Sequence, residues 1–407
     1  MSRMSGDSAT QASSGQAAKF RWRMLALLSV AELFGMAAWF AASAVSPQLA
    51  DLWSLSASES GWLSTAVQIG FVAGSAVAAL LNLPDILPSR WYFAGSSLLA
   101  AAANAGLVVA DDYTAALLLR AVTGVCLAGV YPPAMKMIST WFERSRGLAI
   151  GTIIGALTVG KATPYLIHAI PGVSWQTIVL ASSIGSTVAA LLVAIGYYDG
   201  PVAFARRPFS WALAASVIRV REYRLVLGGY CGHMLELYAY WIWIPAFLAA
   251  SAARQGVSNS AVWILAFSVI AIGAIGCVWG GAIADRIGHA RLVVFALAIS
   301  GSCALLTPLV FGRSLLLLAP VVLVWGMTVI ADSAQFSTLV TRSVPAHAVG
   351  TALTLQTSIG FLLTTLSIQT VPPVVELVGW RYAFPVLAIG PALGIWSMMI
   401  LKRVHEA

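Results

Sequence analysis

The chain has 407 residues, of which 59% are hydrophobic and only 9% are charged. A soluble globular protein carries roughly 25% charged residues, so this chain lacks the polar surface to cover a water-exposed body of its size. The composition excludes an ordinary soluble enzyme, a nucleic-acid-binding module and a disordered protein. It predicts an all-α membrane protein, and the formal net charge of +8 is therefore interpreted through membrane topology.

Twelve stretches of the sequence are long enough to cross a bilayer, which takes about 20 apolar residues per helix. They lack the alternating pattern of a β-barrel strand. Predicted spans 1 to 6 cover residues 24–45, 61–82, 92–110, 114–135, 148–168 and 177–198. Predicted spans 7 to 12 cover residues 225–249, 261–284, 292–311, 315–340, 349–371 and 382–401.

These spans predict a domain organisation with two halves. In chain order it has a disordered tail (1–20), a six-helix bundle (21–198), a linker (199–224), a second six-helix bundle (225–401) and a short tail (402–407). Within the linker, residues 211–218 are expected to form either a helix on the membrane surface or part of a solvated basic loop.

The positive charges orient the predicted spans. With the N-terminus in the cytoplasm, 17 of the 23 Lys and Arg residues fall on the cytoplasmic side, and only Arg254, Arg313 and Arg381 fall outside. Cytoplasmic loops carry the excess of Lys and Arg in membrane proteins. Both termini are therefore predicted to be cytoplasmic, in a multi-pass protein of a bacterial inner membrane.

The two halves resemble each other weakly. Glu32-Leu-Phe precedes Trp39 in span 1, and Glu236-Leu-Tyr precedes Trp243 in span 7, at an offset of 204. A second pair of similar segments, ending at Trp175 and Trp380, precedes spans 6 and 12 at an offset of 205. Transporters built from repeats place the substrate site at the repeat interface, near the bilayer midplane.

The loop between spans 8 and 9 carries the most specific motif. It reads Gly281-Ala-Ile-Ala-Asp285-Arg286-Ile-Gly288-His-Ala-Arg291 and resembles the cytoplasmic signature G-x-L-x-D-R-x-G-x-x-R of the major facilitator superfamily. In the same family pattern, Arg120-Ala-Val-Thr-Gly124 of span 4 is similar to R-x-x-x-G, and Glu143-Arg144-Ser-Arg146-Gly147 is typical of loop 4–5. The resemblance implies two pseudo-symmetric bundles of six helices, with alternating access around a cavity lined mainly by spans 1, 4, 7 and 10.

The signature loop is predicted to gate the conformational change. Its Asp can cap a helix or pair with an Arg across the bundle interface, which would hold one state and release it in the other. Loop 2–3 keeps only the acidic and basic residues of the motif. The gating residues assigned are Gly281, Asp285, Arg286, Gly288, Arg291, Asp85 and Arg90.

Six ionisable residues other than histidines fall inside the spans: Glu32, Arg120, Lys136, Lys161, Glu236 and Asp332. A charge at a helix centre costs about 2.5–3.5 kcal/mol on insertion scales, so such residues usually face a cavity or pair with one another. Asp332 is expected to bind substrate, carry a proton or neutralise Lys136, which otherwise extends to the interface. For Arg120 the family resemblance implies proton transfer or helix packing.

Proton coupling is assigned first to span 7. His233, Glu236, Tyr240 and Trp243 fall on one helix face. A carboxylate in a partly dry cavity takes up a proton more readily than one in water, and a nearby His can pass it on. The alternative is a structural Glu bonded to a neighbouring helix. The full set assigned to proton coupling is Glu236, His233, Glu32, Asp332 and Arg120.

Lys161 is the candidate for binding an anion, with an ion pair to a buried carboxylate as the alternative. The set assigned to substrate binding is Lys161, Trp39, Tyr131, Tyr240, Trp243 and Gln335. The hydroxyl and amide side chains of span 11 are expected to join helices rather than bind substrate.

The leading prediction is a proton-coupled symporter of a small organic solute, an anion, acting as a monomer. Span 5 reads Gly151-x8-Gly160-x3-Pro164, a partial match to the motif of proton-driven drug exporters, so an efflux antiporter is the alternative. A transporter-like membrane sensor is a third reading. The sequence shows no nucleophile–base pair and no metal-ligand spacing, so we expect no enzyme activity, no cofactor and no nucleic-acid partner.

Overall fold

The structure, a computed structural model, describes residues 4–142, 145–201, 210–253 and 255–406. Within these ranges it has twelve helical spans long and apolar enough to cross a membrane, as predicted. Spans 1 to 6 are Phe20–Trp39, Ala57–Leu80, Ser89–Val109, Tyr113–Ser139, Gly147–His168 and Trp175–Gly196. Spans 7 to 12 are Arg221–Ala252, Asn259–Ile287, His289–Val310, Leu315–Ser343, Val349–Val378 and Trp380–Val404.

Several spans are interrupted near their middle. Span 4 consists of Tyr113–Leu127 and Tyr131–Ser139, and span 10 of Leu315–Thr328 and Ser333–Ser343. We call Tyr131–Ser139 and Ser333–Ser343 the inner segments of spans 4 and 10. Span 1 ends in a 3-10 turn, Ala37–Trp39. Span 8 divides into Asn259–Ala271 and Gly273–Ile287, and span 12 into Trp380–Ala383, Phe384–Ala388 and Ile389–Glu406.

Shorter helices connect the spans. They are Ala41–Ala44, Ser46–Trp53, Leu83–Ile86, Trp211–Arg219 and the 3-10 turn Ala346–Ala348. An even number of spans brings both termini and the linker to one side, which we call the terminal face, and we call the opposite side the far face. The linker contains the helix Trp211–Arg219, whose Trp211 is 71% exposed, whereas Ala214 and Val217 are buried. Linker residues 202–209 lie outside the described residues.

The first helix begins earlier than predicted. It runs over Met4–Met36, so the tail expected to be disordered over residues 1–20 is helical from residue 4 onward. Span 1 also ends earlier than its predicted limit of residue 45, because the 3-10 turn Ala37–Trp39 changes the direction of the chain there.

Glycines bring helices into backbone contact within each bundle. A Cβ on Gly70 of span 2 would lie 2.0 Å from the Ala121 carbonyl oxygen of span 4, and one on Gly124 would lie 2.2 Å from that of Val67. In the second bundle, a Cβ on Gly326 would lie 1.8 Å from the Val269 carbonyl oxygen. Small residues at such crossings let membrane helices pack by van der Waals contact.

We expect Gly124→Ala to lower the thermal stability of the purified protein, because the new methyl group collides with a backbone atom that cannot rotate away. Overpacking of this kind costs about 1–3 kcal/mol. Gly95→Ala is the matched control, since nothing lies within 4 Å of its Cβ position. Unfolding temperatures in detergent measure the difference, and equal temperatures for the two variants would contradict the packing role.

Candidate functional site

A cavity lies between the two bundles, near the middle of several spans. Its walls come from spans 1, 4 and 5 of the first bundle and spans 7, 10 and 11 of the second. The lining residues are Trp39, Tyr131, Ile154, Leu157, Lys161, Tyr230, Met234, Leu237, Tyr238, Trp241, Ile330, Ser333, Ser337, Gln356, Thr357 and Phe361. Three predicted substrate residues, Trp39, Tyr131 and Lys161, are among them, whereas Tyr240, Trp243 and Gln335 are not.

Aromatic rings from both bundles close the cavity toward the far face. Trp39 lies with its ring centre 5.8 Å from that of Phe361 and 6.0 Å from that of Tyr238. Phe71 approaches Phe361 to 4.8 Å between ring centres. These four rings join spans 1 and 2 to spans 7 and 11, and we call them the aromatic plug.

Polar and stacking contacts join the bundles further toward the far face. The Gln369 side chain of span 11 accepts a hydrogen bond from Ser58 Oγ at 3.1 Å and donates one to Thr65 Oγ1 at 3.2 Å. His168 at the end of span 5 stacks on Trp263 of span 8, with 4.0 Å between ring centres. The bundles therefore meet on the far side of the cavity.

Lys161 contributes the charge of the cavity. Its Nζ donates a hydrogen bond to Tyr238 Oη at 2.5 Å and lies 3.8 Å from the ring centre of Trp39 and 5.6 Å from that of Trp241. Aromatic faces attract an ammonium group through their quadrupole. Among the described residues, no carboxylate lies within the 4.0 Å of an ion pair with this ammonium.

Glu32 is the carboxylate beside Lys161 at the crossing of spans 1 and 5. It is fully buried in span 1, and neither of its oxygens has a hydrogen-bond partner within the described part of the chain. The proximity follows from Gly160, whose Cβ position would lie 2.1 Å from the Leu33 carbonyl oxygen. Only a glycine lets span 5 approach span 1 this closely beside both charges.

Three further donors in the cavity wall have no partner. The indole N–H groups of Trp39 and Trp241 and the amide Nε2 of Gln356 are buried and unpaired among the described residues. Buried polar groups normally find a partner, and an indole nitrogen can only donate. Together with Lys161 they make a cavity rich in donors, which suits a ligand rich in acceptors.

Arg120 lies outside the cavity and holds the end of span 1. Its guanidinium donates to the carbonyl oxygens of Ala38 at 3.0 Å and Trp39 at 2.6 Å, and to Asn104 Oδ1 at 2.7 Å. A cation is favourable at a helix C-terminus, where carbonyl groups lack partners. Of the two roles implied for Arg120, these contacts support helix packing, and they fix the position of Trp39.

Glu236 is bonded inside the second bundle. Its two carboxylate oxygens accept hydrogen bonds from Ser300 Oγ and Trp325 Nε1, each at 2.8 Å. The side chain thus links spans 7, 9 and 10, which is the structural alternative for this residue. Tyr240 donates to the Val322 carbonyl at 2.7 Å and Trp243 to the Ile368 carbonyl at 2.9 Å.

The cavity uses a different face of span 7 from the predicted one. Tyr230, Met234, Leu237, Tyr238 and Trp241 line it, at the i, i+4, i+7, i+8 and i+11 spacing of one helical face. The prediction assumed that the charged residues of the span mark the cavity face. In the structure those residues find their partners within the bundle.

Asp332 pairs with His233 rather than with Lys136. His233 Nδ1 lies 2.9 Å from Asp332 Oδ1, and both side chains are buried. The distance is that of an ion pair once the imidazole is protonated, although the angles fall outside hydrogen-bonding geometry. Lys136 Nζ donates to the Pro84 carbonyl oxygen at 2.5 Å, near the terminal face.

The signature loop places Gln335 outside the cavity wall. The loop turns at Gly288, whose φ of +95° favours glycine. The next residue is His289. Its Nδ1 lies 2.6 Å from Gln335 Oε1, and its Nε2 lies 3.7 Å from Asp285 Oδ1. The side chain of Asp285 is 82% exposed, and no pair with an Arg occurs among the described residues.

The other gating candidates lie at the terminal face. Arg90 donates to the Ala194 carbonyl oxygen at the end of span 6. A Cβ on Gly281 would come no closer than 3.6 Å to the Gly147 carbonyl oxygen. Arg286 and Arg291 are exposed. The side chains of Asp85 and Arg146, and all of Glu143 and Arg144, lie outside the described residues.

The sequence matches the Major Facilitator Superfamily over residues 27–368. The chain belongs to this superfamily. It is therefore a multi-pass membrane protein among transporters of small molecules and not an enzyme.

Solved structures share the fold. A bacterial homolog of the human lysosomal transporter Spinster, in an inward-facing and occupied conformation, superposes with a TM-score of 0.74 at 14% identity, over 94% of this chain and 97% of that chain. Its inward-facing and unoccupied conformation superposes with a TM-score of 0.69 at 17% identity, over 94% of both chains.

Two relatives are similar in sequence. The galacturonate transporter of Dickeya chrysanthemi is 26% identical over 174 residues, 42% of this chain and 50% of that protein. The chain thus matches about half the length of that relative. The uncharacterized MFS-type transporter YcaD of Salmonella arizonae is 25% identical over 315 residues, 70% of this chain and 76% of that protein.

We expect Arg120→Leu to destabilise the first bundle, because two carbonyl groups at the end of span 1 and the Asn104 side chain lose a charged donor. Each hydrogen bond to a charged group is worth about 1.5–3 kcal/mol. The exposed Arg291→Leu is a control with the same loss of charge. A thermal unfolding temperature for Arg120→Leu as high as that of the control would contradict the assigned role.

Proposed function

We propose that the protein imports a small organic anion together with protons, by alternating access of the cavity to the two sides of the membrane. The observation that carries the proposal is the position of Lys161, an ammonium in the cavity wall that has aromatic neighbours but no carboxylate partner at ion-pair distance. The terminal face corresponds to the cytoplasm, in accord with the bias of Lys and Arg.

An anion fits this cavity better than a cation or a neutral solute. Lys161 is the one charged side chain among the described lining residues. It has three donors, and Tyr238 takes one of them. The unpaired donors of Trp39, Trp241 and Gln356 add to it. The galacturonate transporter among the relatives agrees with this class, since galacturonate is itself an organic anion.

Proton coupling follows from the competition of two anions for one cation. In this proposal Glu32 and Lys161 are both ionised while the cavity is empty, because the crossing of Gly160 on Leu33 brings them side by side. When a substrate carboxylate binds to Lys161, Glu32 becomes the second negative charge in a medium where unpaired charge is costly. It then takes up a proton, so that one proton accompanies each anion and the loaded carrier keeps the charge of the empty one.

Among the other residues assigned to proton coupling, the contacts favour packing. The carboxylate of Glu236 is bonded to Ser300 and Trp325, and Arg120 is bonded to backbone carbonyls. Glu32 has no such partner within the described residues, which leaves its oxygens available for a proton.

We expect Lys161→Gln to reduce uptake of a labelled monocarboxylate by at least about tenfold, because a hydrogen bond to a charged group is worth about 1.5–3 kcal/mol. Uptake into proteoliposomes under an inward proton gradient measures the loss. Lys136→Gln is the matched control, since Lys136 is the other span lysine and binds a backbone carbonyl near the terminal face.

Unchanged uptake in Lys161→Gln would reject the binding role. A ligand thermal-shift screen on the wild type tests the substrate class independently. Stabilisation by organic cations but not by carboxylates would favour the exporter alternative. That alternative is supported by the aromatic lining and by Gly151 at the bundle boundary, where a Cβ would lie 3.2 Å from the Cys277 carbonyl oxygen. A wild type that moves no solute under a pH gradient would favour a sensor.

We expect Glu32→Gln to abolish accumulation driven by a proton gradient while anion exchange across the membrane continues, because the amide cannot take up a proton. Glu236→Gln is the control at the matching repeat position. It should keep the proton drive but lose stability, since an amide group can present only one acceptor oxygen to Ser300 and Trp325. Gradient-driven accumulation by Glu32→Gln at the wild-type level would contradict the mechanism.

A further inference from the structure

His289 connects the signature loop to the cavity wall. It is the first residue of span 9 and follows the turn at Gly288. Its side chain is buried, with 8% exposure, and contacts two different helices. Nδ1 lies 2.6 Å from Gln335 Oε1 of span 10, and Nε2 lies 3.7 Å from Asp285 Oδ1 of span 8.

The two contacts differ between the protonation states of the imidazole. Both neighbouring atoms are oxygens, and a carboxylate oxygen only accepts. A neutral imidazole has one N–H and no charge. An imidazolium can donate to Gln335 and also attract the Asp285 carboxylate, whose oxygen lies at ion-pair distance, 3.7 Å away. Protonation therefore adds a charge-assisted contact to Asp285 without disturbing the one to Gln335.

Gln335 connects His289 to a helical segment that lines the substrate cavity. Gln335 belongs to the inner segment of span 10, Ser333–Ser343, in which Ser333 and Ser337 line the cavity. The start of the same segment is fixed by the pair of Asp332 and His233. A change at His289 thus reaches the cavity wall through one rigid helical segment.

We infer that His289 is a positioning residue that responds to pH at the terminal face. In its protonated form it bridges Asp285 and Gln335, and it holds the inner segment of span 10 in the arrangement seen here, with the bundles joined at the far face. The physiological reading rests on the proposed function: protons imported with the anion would acidify the cytoplasm, retain the carrier in this state and slow further uptake.

The other charged groups on the elements packed around His289 are exposed, so that solvent and salt screen them. Asp285 is the one that faces His289 at close range. The remaining cations on the elements packed around it are Arg286, Arg291, Arg342, Lys402 and Arg403.

The test measures the separation of the bundles at the terminal face without substrate. Spin labels are attached at Ile86→Cys and Thr341→Cys, exposed positions of the first and second bundle, in a background without the four native cysteines. Distance distributions are recorded by double electron–electron resonance at about pH 5.5 and about pH 8.

We expect acidification to raise the ratio of long to short label-to-label distances about fivefold. This factor corresponds to the largest free energy that an exposed ion pair usually contributes. His289→Gln should remove this response, because its amide can still donate to Gln335 but does not titrate. Asp285→Asn should remove it as well, and the double variant should show no further effect. His347→Gln is the control, an exposed histidine at the same face, and should respond as the wild type does.

The inference is overturned if the wild type shows no response, or if His289→Gln responds like the wild type, as it would if the His233–Asp332 pair were the sensor. If His289→Gln fails to fold, the exposed Asp285→Asn carries the same test. Because no substrate is present, a pH response that depends on His289 supports the inference even where uptake assays reject anion import.

Discussion

A charge inside a bilayer has no water to solvate it, and this constraint organises the protein. Arg120 and Glu236 satisfy it with hydrogen bonds inside their own bundles. Asp332 satisfies it with a histidine. Lys161 satisfies it only in part, through aromatic faces and one phenol, and the oxygens of Glu32 have no hydrogen-bond partner among the described residues. These two incompletely paired side chains lie at the cavity, where a bound ligand can supply the missing partners.

The two bundles use equivalent positions for different purposes. Glu32 and Glu236 match in the repeat, yet one is unpaired within the described residues and the other is fully bonded. Arg120 matches Trp325 at the second repeat offset: the first holds the end of span 1, and the second holds Glu236. The first bundle supplies the charge at the cavity, and the second supplies its amide group and all of its hydroxyl groups except that of Tyr131.

Sequence reasoning predicted what depends on composition and local pattern. The number of spans, the family and the cavity positions of Lys161, Trp39 and Tyr131 follow from hydrophobic length, a specific motif and the cost of buried charge. The orientation of span 7 could not be predicted in this way. Adjacent helix faces differ by a rotation of one residue, and the choice between them depends on partners such as Ser300 and Trp325 that lie far away in the sequence.

The same limit explains the other differences. Gln335 is polar and lies in a span expected to line the cavity, but its partner His289 belongs to a loop motif in which that position is variable. The unpaired donors of Trp39, Trp241 and Gln356 become apparent only when every neighbour is known. Close approaches at glycine, such as Gly160 against Leu33, leave no distinctive local pattern, because glycine serves several purposes in membrane helices.

The contact between spans 5 and 8 has a mechanical consequence. Across the bundle boundary, Gly155 faces Ala274 and Gly151 faces the backbone of Cys277, with Cβ positions 3.3 Å and 3.2 Å from the nearest atoms. At these two positions no glycine side chain interlocks with span 8, so this part of the contact can slide and tilt without rotamer changes on span 5. The energy barrier to alternation then comes from the polar and aromatic contacts that join the bundles toward the far face.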